Sequence, residues 1–228
     1  MKVPQLVGGR FRERLTRFSC LVDRDEATTL CFLPNPGRLT ELLVQGREVL
    51  LVPQKGKERK TPYDLFALRH EGKWVVVDSR VPNRLTYESL LTGVIPEFKG
   101  YDEVKPEPTY GTSRFDFLLE NGEDKCLMEV KSCTLVENGA AMFPDAPTTR
   151  GRRHMEELLM AKKHGYRACV LFIIQREDAE VLRPNEGTDP DFSRALRKAA
   201  SGGVEVLAYA SAFRGNEIRL KEKVPVKL

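Results

Sequence analysis

The chain has 228 residues, 31% charged and 41% apolar, with a formal charge of +4, a composition that fits an ordinary globular protein and excludes disordered, collagen-like and coiled-coil classes. No apolar run approaches the roughly 18 residues that cross a bilayer, and the start Met1-Lys2-Val3-Pro4 lacks the apolar stretch of a signal peptide. A cytoplasmic protein with no membrane partner is expected.

Positive charge comes first along the chain. Residues 1–83 carry 15 Lys/Arg against 10 Asp/Glu, a balance of +5, whereas residues 84–228 carry 22 against 23. Part of the excess clusters at Arg10, Arg12, Arg14 and Arg17, with Phe11 and Phe18 between them, and again at Lys55, Lys57, Arg59 and Lys60. Cations that displace counterions from phosphates, beside rings that stack on bases, suit a nucleic acid. A solvated surface over two core phenylalanines fits the same residues.

Five short apolar segments follow, at Phe18–Val22, Thr28–Leu33, Glu48–Val52, Tyr63–Arg69 and Lys73–Asp78. With no long helical period among them, they predict a small β-barrel or sandwich. Between the second and third, Pro34-Asn35-Pro36-Gly37-Arg38 predicts a turn opening a short helix, with Leu39, Leu42 and Leu43 on one face and Gly46 ending it. Pro82-Asn83 marks a boundary, dividing the chain into domains 1–83 and 84–228.

Beyond it the pattern turns to mixed α and β. Thr86 is placed to cap a helix over Tyr87–Val94, with Tyr87, Leu90, Leu91 and Val94 on one face. Strands are predicted at Arg114–Leu119 and Lys125–Thr134. Thr148 or Thr149 caps a helix through His164, with Met155, Leu158 and Leu159 inward and Gly165 after its end. Ala168–Gln175 is a strand buried on both faces. Asp189-Pro190 opens a helix over Asp191–Ala200, and Val204–Ala210 is a final strand. Strand, crossover helix and strand with short links imply parallel pairing in an α/β sheet. Cys20, Cys31, Cys126, Cys133 and Cys169 are odd in number, lack Cys-x-x-Cys spacing and read as reduced core residues.

Chemistry concentrates on the two strands after the first helix. Alternation in Ser113–Leu119 sends Phe115, Phe117 and Leu119 to one face and Asp116 to the other. Glu129 and Lys131 share one face of the next strand. A hairpin around Glu120–Asp124 puts Asp116 beside Glu129, and two close carboxylates hold their charge most readily by sharing a divalent cation. In that reading Asp116, Glu129 and the Val130 carbonyl ligate Mg²⁺ or Mn²⁺, Glu88 is an extra ligand, and Lys131 positions or deprotonates the attacking water of phosphodiester cleavage. The same residues also fit a cross-strand ion pair of Asp116 with Lys131, and Glu88 fits the dipole of a helix start. Arg150, His154 and Glu157 share one stripe of the next helix, facing the cleft to contact phosphate or facing solvent. Gln175-Arg176 ends the buried strand where ligand sites of open sheets gather. His70 and His164 have no partners at ligand spacing. There is no phosphate-binding glycine loop and no nucleophile elbow, which argues against an NTPase and a serine hydrolase.

Seven stretches in order, Pro34-Asn35-Pro36-Gly37-Arg38-Leu39, Val81-Pro82-Asn83, Tyr110–Phe117, Glu129-Val130-Lys131-Ser132, Phe143-Pro144-Asp145-Ala146, Thr149-Arg150-Gly151 and Gly203-Val204-Glu205-Val206, together resemble the sugar fermentation stimulation protein A family over nearly the whole chain. The resemblance implies an N-terminal OB-fold-like β-barrel followed by an α/β domain similar to the PD-(D/E)XK nucleases, with DNA as partner. It matches Asp116, Glu129 and Lys131 to the nuclease motif and Glu88 to the acidic residue of the preceding helix. DNA contacts are expected from Arg10, Arg12, Arg14, Arg17, Arg38, Arg150 and His154. Where the family pattern places a His and a Thr around its Pro-Asn turn, this chain has Phe32 and Pro36, a departure that leaves the carboxylate site intact. Two functions follow: DNA binding largely through the phosphate backbone, or Mg²⁺/Mn²⁺-dependent cleavage of DNA or a structured nucleic acid.

Overall fold

A computed structural model describes residues 1–3, 5–55 and 59–228. Lys57 of the second basic cluster lies outside the described residues. The first six strands are β1 (Val7–Thr16), β2 (Ser19–Arg24), β3 (Ala27–Phe32), β4 (Glu48–Pro53), β5 (Tyr63–His70) and β6 (Lys73–Val76). They run in the order β3-β2-β1-β4-β5-β6, and pairing of β3 with β5 closes the first five into a barrel. Its interior holds Phe11, Val22, Leu33, Leu51, Leu65 and Leu68.

Two sequence expectations change here. The basic run is itself a strand, β1, in which only Phe11 is fully buried, and Phe18 is 44% exposed rather than in the core. No helix forms after Arg38. Leu39 takes φ +53°, and a turn closed by Leu42 N–H and Leu43 N–H on the Leu39 carbonyl folds Leu39 and Leu42 into the barrel.

The barrel leads directly into α1 (Val81–Leu91), which starts earlier than predicted because Pro82 sits in the first turn, where its missing N–H costs nothing. Thr86 is therefore a buried interior residue and not the cap. The buried stripe is Val81, Pro82, Leu85, Thr86 and Ser89, while Tyr87, Leu91 and Val94 are exposed.

The remaining strands are β7 (Glu103–Pro106), β8 (Thr109–Tyr110), β9 (Ser113–Arg114), β10 (Phe117–Asn121), β11 (Asp124–Cys133), β12 (Val136–Glu137), β13 (Ala140–Phe143), β14 (Arg167–Ile174), β15 (Val181–Pro184), β16 (Glu205–Arg214) and β17 (Glu217–Lys223). Helices α2 (Thr149–Lys163) and α3 (Pro190–Ser201) lie between them. A six-stranded sheet in the order β17-β16-β14-β11-β10-β7 carries the parallel core β11-β14-β16 that the crossover pattern implies. Thr148 caps α2 by accepting from Gly151 N–H at 3.0 Å, and Asp189 caps α3 by accepting from Phe192 N–H at 2.9 Å.

Each face of the sheet has its own core. One, with Phe117, Leu119, Met128, Val130, Leu171 and Ile173, packs against α1 and the barrel residues Phe66, Ala67 and Val76. The other, with Phe115, Leu127, Phe172 and Ala208, packs under Met155, Leu158, Phe192 and Leu196 of the other two helices. Phe115 and Phe117 thus lie on opposite faces, contrary to strict alternation, because the chain leaves the strand at Phe115-Asp116 between β9 and β10. All five cysteines are free and buried. Among the described residues no helix is long and apolar enough to cross a membrane.

Candidate active site

The kink at Asp116 decides the site. Released from β10, the carboxylate turns toward β11, where Oδ2 accepts the Val130 N–H at 2.7 Å and Oδ1 accepts from Asn83 Nδ2 in the first turn of α1. Opposite it, β11 places Leu127, Glu129, Lys131 and Cys133 on the face that meets α2. Glu129 is buried, and its Oε1 accepts from both Lys131 Nζ and His154 Nδ1, the latter at 2.5 Å. His154 is fully buried in α2, with its ring 5.2 Å from that of Phe115. Arg150, one turn earlier, donates from Nε to His154 Nε2 at 3.3 Å. Because arginine only donates, Nε2 must accept, which fixes the proton on Nδ1 and aims it at Glu129.

One atom in this network lacks a partner. Glu129 Oε2 is buried and receives no hydrogen bond among the described residues, an expensive state for a charged oxygen unless a cation takes it up. The electrostatics divide the two carboxylates. Burial, aided by the Glu129 charge, pushes the Asp116 carboxyl up to about 6. Burial acts on Glu129 as well, but Lys131 and His154 outweigh it and hold this group below its ordinary range. Such a split within one site is what acid–base and metal chemistry uses.

The structure does not bring every expected residue here. Glu88 is 51% exposed and pairs with the Met1 amine at 3.3 Å; five residues on from Asn83, it projects about 140° away around the helix, so the extra ligand is not supplied. Among the described residues no group of three or more His, Cys, Asp and Glu is set to hold a metal. His154 is too deeply buried to touch DNA and instead holds Glu129, while Arg150 is exposed. Glu157 leaves the cleft to accept from Thr112 N–H and Oγ1, strapping the β8–β9 turn. Gln175 and Arg176 are buried: Gln175 donates to Ser132 Oγ at 3.0 Å and to the Asp78 carbonyl at 3.4 Å, and Arg176 pairs with Asp178, while Gln175 Oε1 and Arg176 Nη1 have no partner among the described residues. His164 meets the Tyr110 hydroxyl at 2.7 Å.

The basic strand also divides. Arg14 donates to five main-chain carbonyls, those of Thr16, Arg17, Asn35, Gly37 and Arg38. It is a staple for the Pro34–Arg38 turn rather than a contact for a ligand. Arg10 donates to the Gly46 carbonyl and Arg12 pairs with Asp23, both at the surface. Arg17 and Arg38 are exposed.

That stapled turn forms one wall of a cleft of about 250 Å³. Arg17, Asn35, Gly37 and Ser79 face Lys131, Asp145 and Thr148 across it. A Cβ at Gly37 would stand 2.2 Å from Asp145 Oδ2, so a larger residue there would have to push this carboxylate aside. Sequence reasoning missed Asn83, which it took as a boundary marker, and gave Asp145 no role. A polar residue in the first turn of a helix that begins at a proline was the available signal for Asn83.

Against known families, residues 13–77 match the N-terminal OB domain and residues 80–217 the sugar fermentation stimulation protein RE domain. The chain belongs to the sugar fermentation stimulation protein family. A family homolog from Caldanaerobacter subterraneus subsp. tengcongensis is 46% identical over 98% of this chain and 97% of its own length. Another, from Methanothermobacter thermautotrophicus, is 43% identical over 92% and 87%. The structure of Pyrococcus furiosus SfsA in complex with Ca²⁺ superimposes with a TM-score of 0.93 at 31% identity, covering 100% of this chain and 98% of that one. The family's two-part arrangement, an OB barrel followed by a second, α/β domain, is thus the fold of this chain.

Proposed function

We propose that this protein binds DNA and hydrolyses its phosphodiester bonds with a divalent cation at Asp116 and Glu129. The observation that carries the reading is Glu129 Oε2, a buried carboxylate oxygen without a partner beside a second carboxylate. The Ca²⁺ complex of the Pyrococcus furiosus relative supports a divalent ion in the family. Asp116, Glu129 and the Val130 carbonyl would hold Mg²⁺ or Mn²⁺. When bound, such an ion supplies positive charge to the developing phosphorane and acidifies water. Lys131, 12% exposed and bonded to Glu129, would orient the attacking water and stabilise the developing hydroxide by its positive charge, the water's proton leaving to solvent. His154 keeps the Glu129 carboxylate in one orientation, and Asn83 does the same for Asp116.

A second reading keeps the DNA binding without cleavage, the nuclease-like layer serving as scaffold. It is favoured by the departure of Glu88 and by the direct bond of Lys131 to Glu129, which satisfies part of the carboxylate charge without metal. Labelled single-stranded, duplex and branched DNA incubated with Mg²⁺ or Mn²⁺ decides between them, run beside Asp116→Ala and Lys131→Ala proteins of verified fold. Cleavage that disappears in both variants is expected. Binding without cleavage in all three proteins would leave the second reading.

A further inference from the structure

Phe18 and Phe32 stand outside the barrel core although both are large apolar rings. Phe18 lies in the turn between β1 and β2, 44% exposed, and Phe32 ends β3, partly buried. Their ring centroids are 6.3 Å apart with planes 25° from parallel, so the two rings form one shallow stacked surface. The Arg17 guanidinium lies 5.5 Å from the Phe18 centroid, and that of Arg80 lies 6.0 Å from the Phe32 centroid. Arg17 also lines the cleft that Lys131 faces, which makes the aromatic surface continuous with the path to the carboxylates.

We propose that the Phe18–Phe32 pair is a stacking platform for an unpaired base, and that the nucleic acid taken by this protein is a single strand or the unpaired part of a branched one. The proposal rests on the phosphodiester reading of Asp116, Glu129 and Lys131. Base faces in a duplex lie against one another and cannot cover exposed rings without unstacking, whereas a single strand offers them freely. The cleft beside the platform is small, about 250 Å³, below a pocket for a drug-sized ligand, and Lys131 stands recessed at its wall. Arg17, between platform and cleft, meets the phosphate next to the stacked base.

Fluorescence anisotropy of a labelled oligothymidine strand and of a blunt mixed-sequence duplex, without divalent cation, tests this with the unchanged protein, Phe18→Ala, Phe32→Ala and Phe18→Trp. Tighter binding of the single strand is expected. Each alanine should weaken it about tenfold while the duplex changes less than about twofold, and Phe18→Trp should retain it, since stacking contributes by ring area. Because Phe18 is exposed, Phe18→Ala should melt within a few degrees of the parent, and that check accompanies the binding data. Equal affinity for both nucleic acids, or single-strand affinity unmoved in both alanine variants, would overturn the platform while leaving DNA binding in place. Failure to bind either oligonucleotide would overturn the platform together with the reading beneath it.

Discussion

His154 Nδ1 stands 2.5 Å from Glu129 Oε1, and both side chains are buried. The imidazole therefore restrains a buried charge and does not act as a surface base. His154→Ala should lower unfolding free energy by about 3 kcal/mol, because it removes one partner of a buried charge. Cleavage should fall at least about tenfold while DNA affinity stays within about twofold. Denaturant melts and single-turnover kinetics read the two effects separately, and a variant that loses DNA affinity instead would place His154 at the nucleic-acid surface.

The pH dependence follows from Asp116. Its carboxyl is lifted to about 6, by burial first and the Glu129 charge second, against about 3.9 in the unfolded chain. Between those values the folded state holds a proton that the unfolded chain has released, so the stability from this group is full below about pH 4 and is lost as pH rises through about 6. Glu129, held below its ordinary range, acts with the opposite sign at lower pH. A divalent cation bound there, as proposed, would have to displace the Asp116 proton. Mn²⁺ affinity by calorimetry should therefore rise between about pH 5 and 7 with proton release into the buffer, and Asp116→Asn should flatten that rise.

Two arginines of the same basic region should behave differently. Arg14→Ala removes a guanidinium bonded to five carbonyls and should destabilise the protein by about 2 kcal/mol or more. Arg38→Ala leaves those bonds intact and should instead lower the slope of log affinity against log salt by about 1. Thermal melts and binding titrations at several salt concentrations check both. An Arg38 variant with an unchanged slope would remove Arg38 from the interface.

The thiols should be inert in the native protein. Burial pushes Cys20, Cys31 and Cys126 up to about 12, far above the pH at which a thiolate would form. A chromogenic disulfide reagent at mildly alkaline pH should react only as urea unfolds the chain, and fast labelling of any thiol in the native state would contradict this.

The parallel strands and the caps of α2 and α3 were legible because a continuous apolar run and a Thr or Asp before a helix each have one physical explanation. β1 was not, since its arginines alternate around a single buried phenylalanine and their charge hides the pleat. The start of α1 was misplaced by treating Pro82 as a breaker when a first-turn proline favours the helix. At the site, the spacing of Asp116, Glu129 and Lys131 was enough to bring these three together. His154 was seen on the right helix but given to the phosphate, because the burial of one face depends on what β11 presents to it. Asn83 and the loss of Glu88 both follow from the true register of α1, which only tertiary packing sets.

The first turn of α1 joins two tasks that the chain could have kept apart. Its Asn83 grips the Asp116 carboxylate, and its Val81 and Leu85 share a core with Phe66 and Val76 of the barrel and with Met128 and Val130 of β11. A separate expression of residues 84–228 would delete that asparagine and strip the sheet of its barrel-side cover. The barrel is thus a structural subunit of the carboxylate site, and swapping it for another barrel would disturb the setting of Asp116 without changing a single carboxylate.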